Sequence, residues 1–97
     1  MASEVDFRKE AQKDLIEAYL WYEKKQKGLG ERFVREVENG VKFIRQNPEA
    51  FPRKKNGFRE FPLKIFPYLM IYVLAQKKIT ILAIFNTRLN PDKKPSA

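Results

Sequence analysis

Ninety-seven residues carrying 20 Lys plus Arg against 12 Asp plus Glu, a formal charge of +8 at pH 7, fit a single basic domain spanning residues 1–97. A chain of that length removes roughly 60 to 65% of its unfolded surface from water on folding. Without cysteine or histidine there are no disulfides, thiolate or imidazole metal sites, cysteine nucleophiles or Ser-His-Asp triads, so any catalysis must run on Arg, Lys, Tyr and carboxylates.

The chain opens with Val5 and Phe7 alternating with polar neighbours, which predicts a short strand. Ala11, Leu15, Ala18, Tyr19 and Tyr22 then recur at helical spacing and line the inner stripe of a first helix ending near Gln26. Trp21, Tyr19 and Tyr22 read as core, and Glu10, Asp14, Glu17 and Glu23, interleaved with lysine, as a solvated face carrying no site. Gly28, after Lys24, Lys25 and Lys27, is the expected stop. Leu29 and Gly30 link to a second helix over residues 31–46, with Phe33, Val34, Val37, Val41 and Ile44 inward. Gly40 inside it implies close packing against the first helix. Asn47 and Pro48 end that helix, because the residue before proline disfavours αR.

Residues 49–57 combine a proline, three cations and an Asn-Gly signal and predict a loop. Three strands follow, over residues 58–65, 68–74 and 79–85. Pro62 places the first at a sheet edge, Phe66 and Pro67 make a corner, and Gln76, Lys77 and Lys78 form a tight connection. The second and third strands are apolar on both faces and belong at the centre. Helices can cover one face; the other is expected to stay open for a partner protein or a concave site ringed by cations. The tail, residues 90–97, is expected to be mobile or held only by a partner. Interruption of the apolar runs by Pro67, Gln76 and a Lys pair rules out a membrane span, and residues 1–8 lack a signal-peptide core, so the expected location is the cytoplasm. The fold class is α+β: a short N-terminal strand and a helical hairpin packed on an antiparallel sheet with a C-terminal three-strand meander.

Certain residues sharpen this pattern. Ala11, Asp14, Leu15, Glu17 and Ala18 precede WYE at residues 21–23, followed by GLGERF at 28–33, Asn47-Pro48, Arg59, FPY at 66–68, and Arg88 with Pro91. Together they resemble the RelE/ParE superfamily of type II toxins over nearly the whole chain, with GLGERF and FPY closer to the ParE-like branch. The resemblance implies a toxin neutralised by an acidic antitoxin and acting either on DNA gyrase or, without a metal or other cofactor, on ribosome-associated mRNA. It also implies roles in growth arrest and plasmid stabilisation.

The same resemblance makes Arg59 and Arg88 the candidate catalytic pair, since two guanidinium forks match a phosphate and the charge that grows on it. The meander reverses twice, which sets Arg59 at the bottom of the sheet and Arg88 at the top unless Pro62 bends the first strand across. Lys54, Lys55, Lys64 and Asn86 are candidates for nucleic-acid or target binding; Asn86 stands where many relatives carry histidine and cannot shuttle protons. Tyr68, Met70 and Tyr72 share one face of the central strand and are either core or the surface that meets the antitoxin. Tyr68 or Tyr72 could also stack a base or donate a proton. Lys24, Lys25, Lys27 and the Arg53–Lys55 loop are docking charges for an acidic partner or simply solvated. A basic nucleic-acid-binding module, or a degenerate toxin without activity, is the alternative reading.

Overall fold

The computed structural model describes residues 4–89 and 91–95. Strand β1 (Glu4–Phe7) leads into helix α1 (Lys9–Lys25), helix α2 (Leu29–Gln46) and the strands β2 (Arg59–Pro62), β3 (Tyr68–Ala75) and β4 (Lys78–Asn86). The sheet order is β1-β4-β3-β2. β2, β3 and β4 form the antiparallel meander, and β1 adds in parallel along β4, pairing Glu4 with Lys78 and Phe7 with Ile81. The α+β fold expected from the sequence is present, with β1 making its sheet mixed. Pro62 sits on edge strand β2, where its missing N–H costs no ladder bond.

Both helices lie on the same side of the sheet. Phe33, Val37 and Ile44 of α2 and Ala11 and Ala18 of α1 bury against Met70, Tyr72, Ile79, Ile81 and Ile84. The two alanines allow α1 to approach the strands closely. A bulge where the β3–β4 register shifts at Ile71/Tyr72 restores alternation on β4, so that Ile81 and Ile84 both reach this core.

No described helical residue contributes to the cluster on the second face, built from Ile71, Leu82 and Phe85 with Phe58, Leu69 and Val73 around them. That face is nonetheless not the open surface expected: Ile71, Leu82 and Phe85 are all buried. Part of the cover comes from the tail. Residues Pro91–Lys93 form a 3-10 turn, and the following Lys94 Nζ passes 5.7 Å from the Phe85 ring centroid to reach Glu60 Oε2 at 3.2 Å. Residues 91–95 are therefore tied down by their own chain, contrary to the expectation for the tail; Asn90, Ser96 and Ala97 lie outside the described residues.

The glycines divide their work differently from the sequence reading. Gly28 has φ +89° and serves as the N-cap of α2, which starts at Leu29 and not at Glu31. Its N–H and that of Gly30 donate to the Glu23 carboxylate at 2.9 and 3.0 Å. A carboxylate from the preceding helix thus satisfies orphan donors and meets the positive end of the α2 dipole. Gly40 faces the sheet, where a Cβ would meet Met70 Cε and Phe61 Cε1, whereas Gly30 is the residue pressed against α1.

The β3–β4 connection places Gln76 and Lys77 at φ 52° and 64°, two consecutive left-handed residues, as a two-residue hairpin turn of the right twist demands. Neither side chain favours that region. Replacing the pair by Asn-Gly is expected to raise stability by about 1 kcal/mol, measured as a higher urea midpoint at unchanged slope; an unchanged midpoint would show that the turn carries no such cost.

Candidate functional site

Arg59 and Arg88 do not meet. Arg59 pairs with Tyr72, which stands opposite Ile81 on β4, whereas Arg88 follows Asn86, the partner of Tyr68. From Tyr72 to Tyr68 alone the strand advances about 14 Å. Pro62 produces no bend that could close this gap, since β2 keeps its register with β3 through Pro62↔Leu69. The reversals read from the sequence hold, and the two arginines cannot clamp one phosphate.

Arg59 is already engaged. Its half-buried guanidinium donates to the Phe51 carbonyl, and beside it the Tyr72 hydroxyl donates to the Pro48 carbonyl at 3.1 Å. Together they fasten the loop between α2 and β2 to the sheet. Phe43, Phe51 and Phe61, with ring centroids 5.3 to 6.1 Å apart, pack beneath the same loop.

Tyr68, Met70 and Tyr72 are 8%, 0% and 0% exposed and lie under the helices. An antitoxin cannot reach Met70 or Tyr72 without displacing α1 or α2, so these two are core, whereas Tyr68, though buried, also lines a cleft. Lys54, Lys55 and Lys64 are exposed and dispersed around the β2 side. Lys54 Nζ stands 3.9 Å from Glu60 Oε1, the carboxylate that also takes Lys94.

The concave feature lies at the opposite end of the sheet, where α1 passes over the ends of β3 and β4. A cavity of about 560 Å³ is lined there by Asp14, Glu17, Trp21, Tyr22, Tyr68 and Asn86, with Arg88, Leu89 and Lys93 at its rim. A neighbouring depression of about 450 Å³ shares Trp21, Tyr22, Pro67 and Arg88 and adds Lys25 and Ile65. The floor is an aromatic cluster: Tyr22 lies 5.5 Å from Phe33 and 4.8 Å from Phe66 between ring centroids, and Phe33 lies 5.0 Å from Tyr68.

Local geometry presents Arg88. Asn86 Oδ1 accepts the Arg88 N–H at 2.9 Å in an Asx turn, while the Thr87 N–H and hydroxyl both donate to the Pro67 carbonyl at 2.8 and 2.9 Å. The guanidinium projects from this braced turn into solvent beside Trp21. Trp21 is 56% exposed, not core, and the Lys25 ammonium lies 4.5 Å from its ring centroid. The sequence contained a signal for this: Ile16, Leu20 and Trp21 are apolar residues outside the Ala11-Leu15-Ala18-Tyr22 stripe.

Asp14 is no solvated bystander either. β1 stops opposite Ile81, and just beyond, Asp14 Oδ2 accepts the Ile84 N–H at 2.9 Å. Burial pushes the Asp14 carboxyl above the usual aspartate range, and the hydrogen bond from Ile84 opposes that shift. Burial likewise drives the Tyr68 phenol up to about 12, with Tyr22 adding to the effect and Asn86 opposing it. Tyr72 moves in the same direction by burial. Neither phenol is tuned toward proton transfer at neutral pH.

The Tyr68 shift carries a pH signature. Its folded value lies above the ordinary 10.0, so the folded chain holds this proton more tightly than the unfolded one. That stabilisation is intact below the unfolded value and is lost as pH rises through the folded value. Between about pH 9 and 12 the urea midpoint is expected to fall more steeply in the parent than in Tyr68→Phe; equal slopes would refute the assignment.

Residues 5–91 match the family described as ParE toxin of type II toxin-antitoxin system, parDE. The chain belongs to this family. No curated protein matches the sequence significantly. Among solved structures, a chain titled "Chromosomal ParDE TA system from P. aeruginosa" superimposes with a TM-score of 0.77 at 21% identity, over 88% of this chain and 96% of the other. The RelE/ParE resemblance read from the motifs, and its lean toward ParE, are thereby borne out. The chain is a toxin of a type II toxin–antitoxin system, and that role implies an antitoxin partner. No helix among the described residues is long and apolar enough to cross a membrane.

Proposed function

We propose that this ParE-family toxin arrests growth in the cytoplasm by binding DNA gyrase, with affinity in place of chemistry as its activity, and that an acidic antitoxin relieves the arrest. The observation that carries this reading is the separation of the two arginines. Metal-independent RNA cleavage needs cations converging on one phosphate and a proton donor near neutrality. Arg59 is engaged by the Phe51 carbonyl, Arg88 shares the cleft with lysines but with no second arginine, and the phenol of Tyr68 is raised to about 12. A cleft with an aromatic floor, an exposed Trp21 and a single braced guanidinium suits recognition of a protein surface.

Arg88 is the residue to which we assign target contact, with Asn86 as the side chain that positions it. Lys54, Lys55 and Lys64 supply positive potential that favours encounter with a DNA-bound enzyme. In a supercoiling assay the purified chain is expected to inhibit gyrase, while translating ribosomes incubated with it keep their mRNA intact. Arg88→Ala is expected to raise the inhibitory concentration about tenfold and leave the thermal midpoint unchanged. Ribosome-dependent mRNA cleavage without gyrase inhibition would overturn the proposal. Inhibition of neither, with salt-sensitive nucleic-acid binding, would leave a basic binding module.

A further inference from the structure

We infer that the end of the sheet opposite the Arg88 cleft is a contact site for the phosphate backbone of duplex DNA, formed by Arg53, Lys55 and Lys77; the choice of duplex DNA rests on gyrase being the target. β2 starts at Arg59 opposite Tyr72, and β3 runs on from there to Ala75 and the turn into β4. The loop that feeds β2 and the β3–β4 turn therefore share this end. Among the described residues Arg53, Lys55 and Lys77 are exposed and make no ion pair. Lys54 stands 3.9 Å from Glu60 and Lys78 2.8 Å from Asp6, so these two are partly neutralised. Glu4, opposite Lys78, and Glu49, at the head of the loop, are acidic groups at its borders.

The backbone holds this charge in place. Lys77 has φ 64° and follows Gln76 at 52°, a conformation that both side chains disfavour. Where the loop before β2 needs positive φ the chain uses glycine, Gly57 at +87° after Asn56. At the hairpin turn it keeps a lysine, and Lys77 is exposed, so neither packing nor an ion pair offsets the strain. An unfavourable local choice without structural compensation points to a functional position. Arg53 and Lys55 come from an equally fixed turn: the Lys54 N–H donates to the Phe58 carbonyl at 2.7 Å, the Gly57 N–H to the Lys54 carbonyl at 2.9 Å and the Phe58 N–H to Asn56 Oδ1 at 2.9 Å.

Chemistry selects the occupant. Of the exposed large apolar side chains, Ile16, Leu20, Trp21, Ile65 and Leu89 lie on α1 or border the Trp21 cleft, while Phe43 packs against Phe51 and Phe61. This end thus lacks the exposed anchors that a protein partner grips and the open rings on which single-stranded bases stack. A second copy would set cations against cations. A polyanion met through its charge alone suits three unpaired cations, and the DNA on which gyrase works is one. Its phosphates would sit against this end while Arg88, at the other, meets the enzyme.

Binding of the purified chain to a fluorescent duplex of about 20 base pairs, titrated between about 50 and 200 mM salt, tests the site. Arg53→Ala combined with Lys55→Ala and Lys77→Ala is expected to reduce the slope of log affinity against log salt by about two to three, whereas Lys9→Ala with Lys13→Ala and Lys24→Ala, which removes the same charge from α1, should leave it within about half a unit. Gln76→Asn with Lys77→Gly should weaken duplex binding about fivefold while raising the urea midpoint, and Lys77→Arg should keep the parent affinity. A purely structural role for Lys77 would not move stability and binding in opposite directions. Equal loss of slope in the two triple variants would reduce the site to net charge and overturn the inference, as would parent-like affinity in the Lys77→Gly pair or a parent that binds no duplex. A preference of about tenfold for single-stranded RNA of the same length would refute DNA as the occupant. Supercoiling distinguishes the two claims: a chain that binds duplex through this end but leaves gyrase active keeps the site and loses gyrase as its target.

Discussion

Gly30→Ala is expected to lower the thermal midpoint by roughly 10 to 20 °C, a loss of about 2 to 3 kcal/mol in a domain of this size. A Cβ at this position would stand 2.6 Å from the Tyr19 carbonyl oxygen, 2.9 Å from Tyr19 Cδ1 and 3.0 Å from Glu23 Cβ. The first of these is backbone in the middle of α1 and cannot rotate away. Relief requires the two helices to separate, which loosens the Glu23 bonds to Gly28 and Gly30 at the same time. Alanine gains about 1 kcal/mol of helix propensity over glycine, too little to offset the clash. Gly40→Ala should cost less, because the nearest atom there is the mobile end of Met70. Differential scanning calorimetry of the two variants checks the order; an unchanged midpoint for Gly30→Ala would mean the hairpin has slack that its geometry denies.

Phe33→Ala should cost about 3 to 5 kcal/mol, a large part of the 5 to 15 kcal/mol typical of a whole domain. Phe33 is fully buried and joins Tyr22, Phe66 and Tyr68, with ring centroids 5.0 to 5.5 Å from its own. The cavity left behind would lie directly under the cleft, since Tyr22 and Tyr68 form its floor. Loss of the near-ultraviolet aromatic signal together with a lower urea midpoint is the expected result. A shift below about 1 kcal/mol would show that the cluster is not a packed unit. Target binding should weaken along with stability, in contrast to Arg88→Ala, which separates the two.

Much of the fold was legible because it depends on periodicities that local sequence carries. The Phe33-Val37-Ile44 stripe, the edge position implied by Pro62 and the doubly apolar β3 and β4 all appear as read. The combination of GLGERF, FPY, Arg59 and Arg88 led to the family that residues 5–91 match. What escaped depends on partners distant in sequence. Asp14 among lysines looks like any solvated carboxylate, because the Ile84 N–H it satisfies lies 70 residues away. Glu36, whose carboxylate accepts the Ile65 N–H at 3.1 Å, is hidden in the same way.

The second sheet face misled for a related reason. Apolar residues on a strand demand cover but do not name it, and here Lys94 and the turn before it contribute. Trp21 misled in the opposite direction: a helical wheel shows where an apolar arc begins but not how far the sheet beneath extends. α1 overruns the ends of β3 and β4, and Trp21 stands at that overhang. The Tyr68-Met70-Tyr72 face was weighed as core or as partner surface, and only the position of the helices could decide between them.

The early end of β1 has a further consequence. Beyond Ile81 no described strand pairs with that flank of β4, and a bare flank beside Leu82, Ala83 and Phe85 invites fibrillar growth by strand addition. By seating a carboxylate on the Ile84 amide, the helix puts a charge where an incoming backbone would need a carbonyl. The Asp14 carboxylate thereby occupies the position that a pairing strand's carbonyl would need, which disfavours strand addition at Ile84.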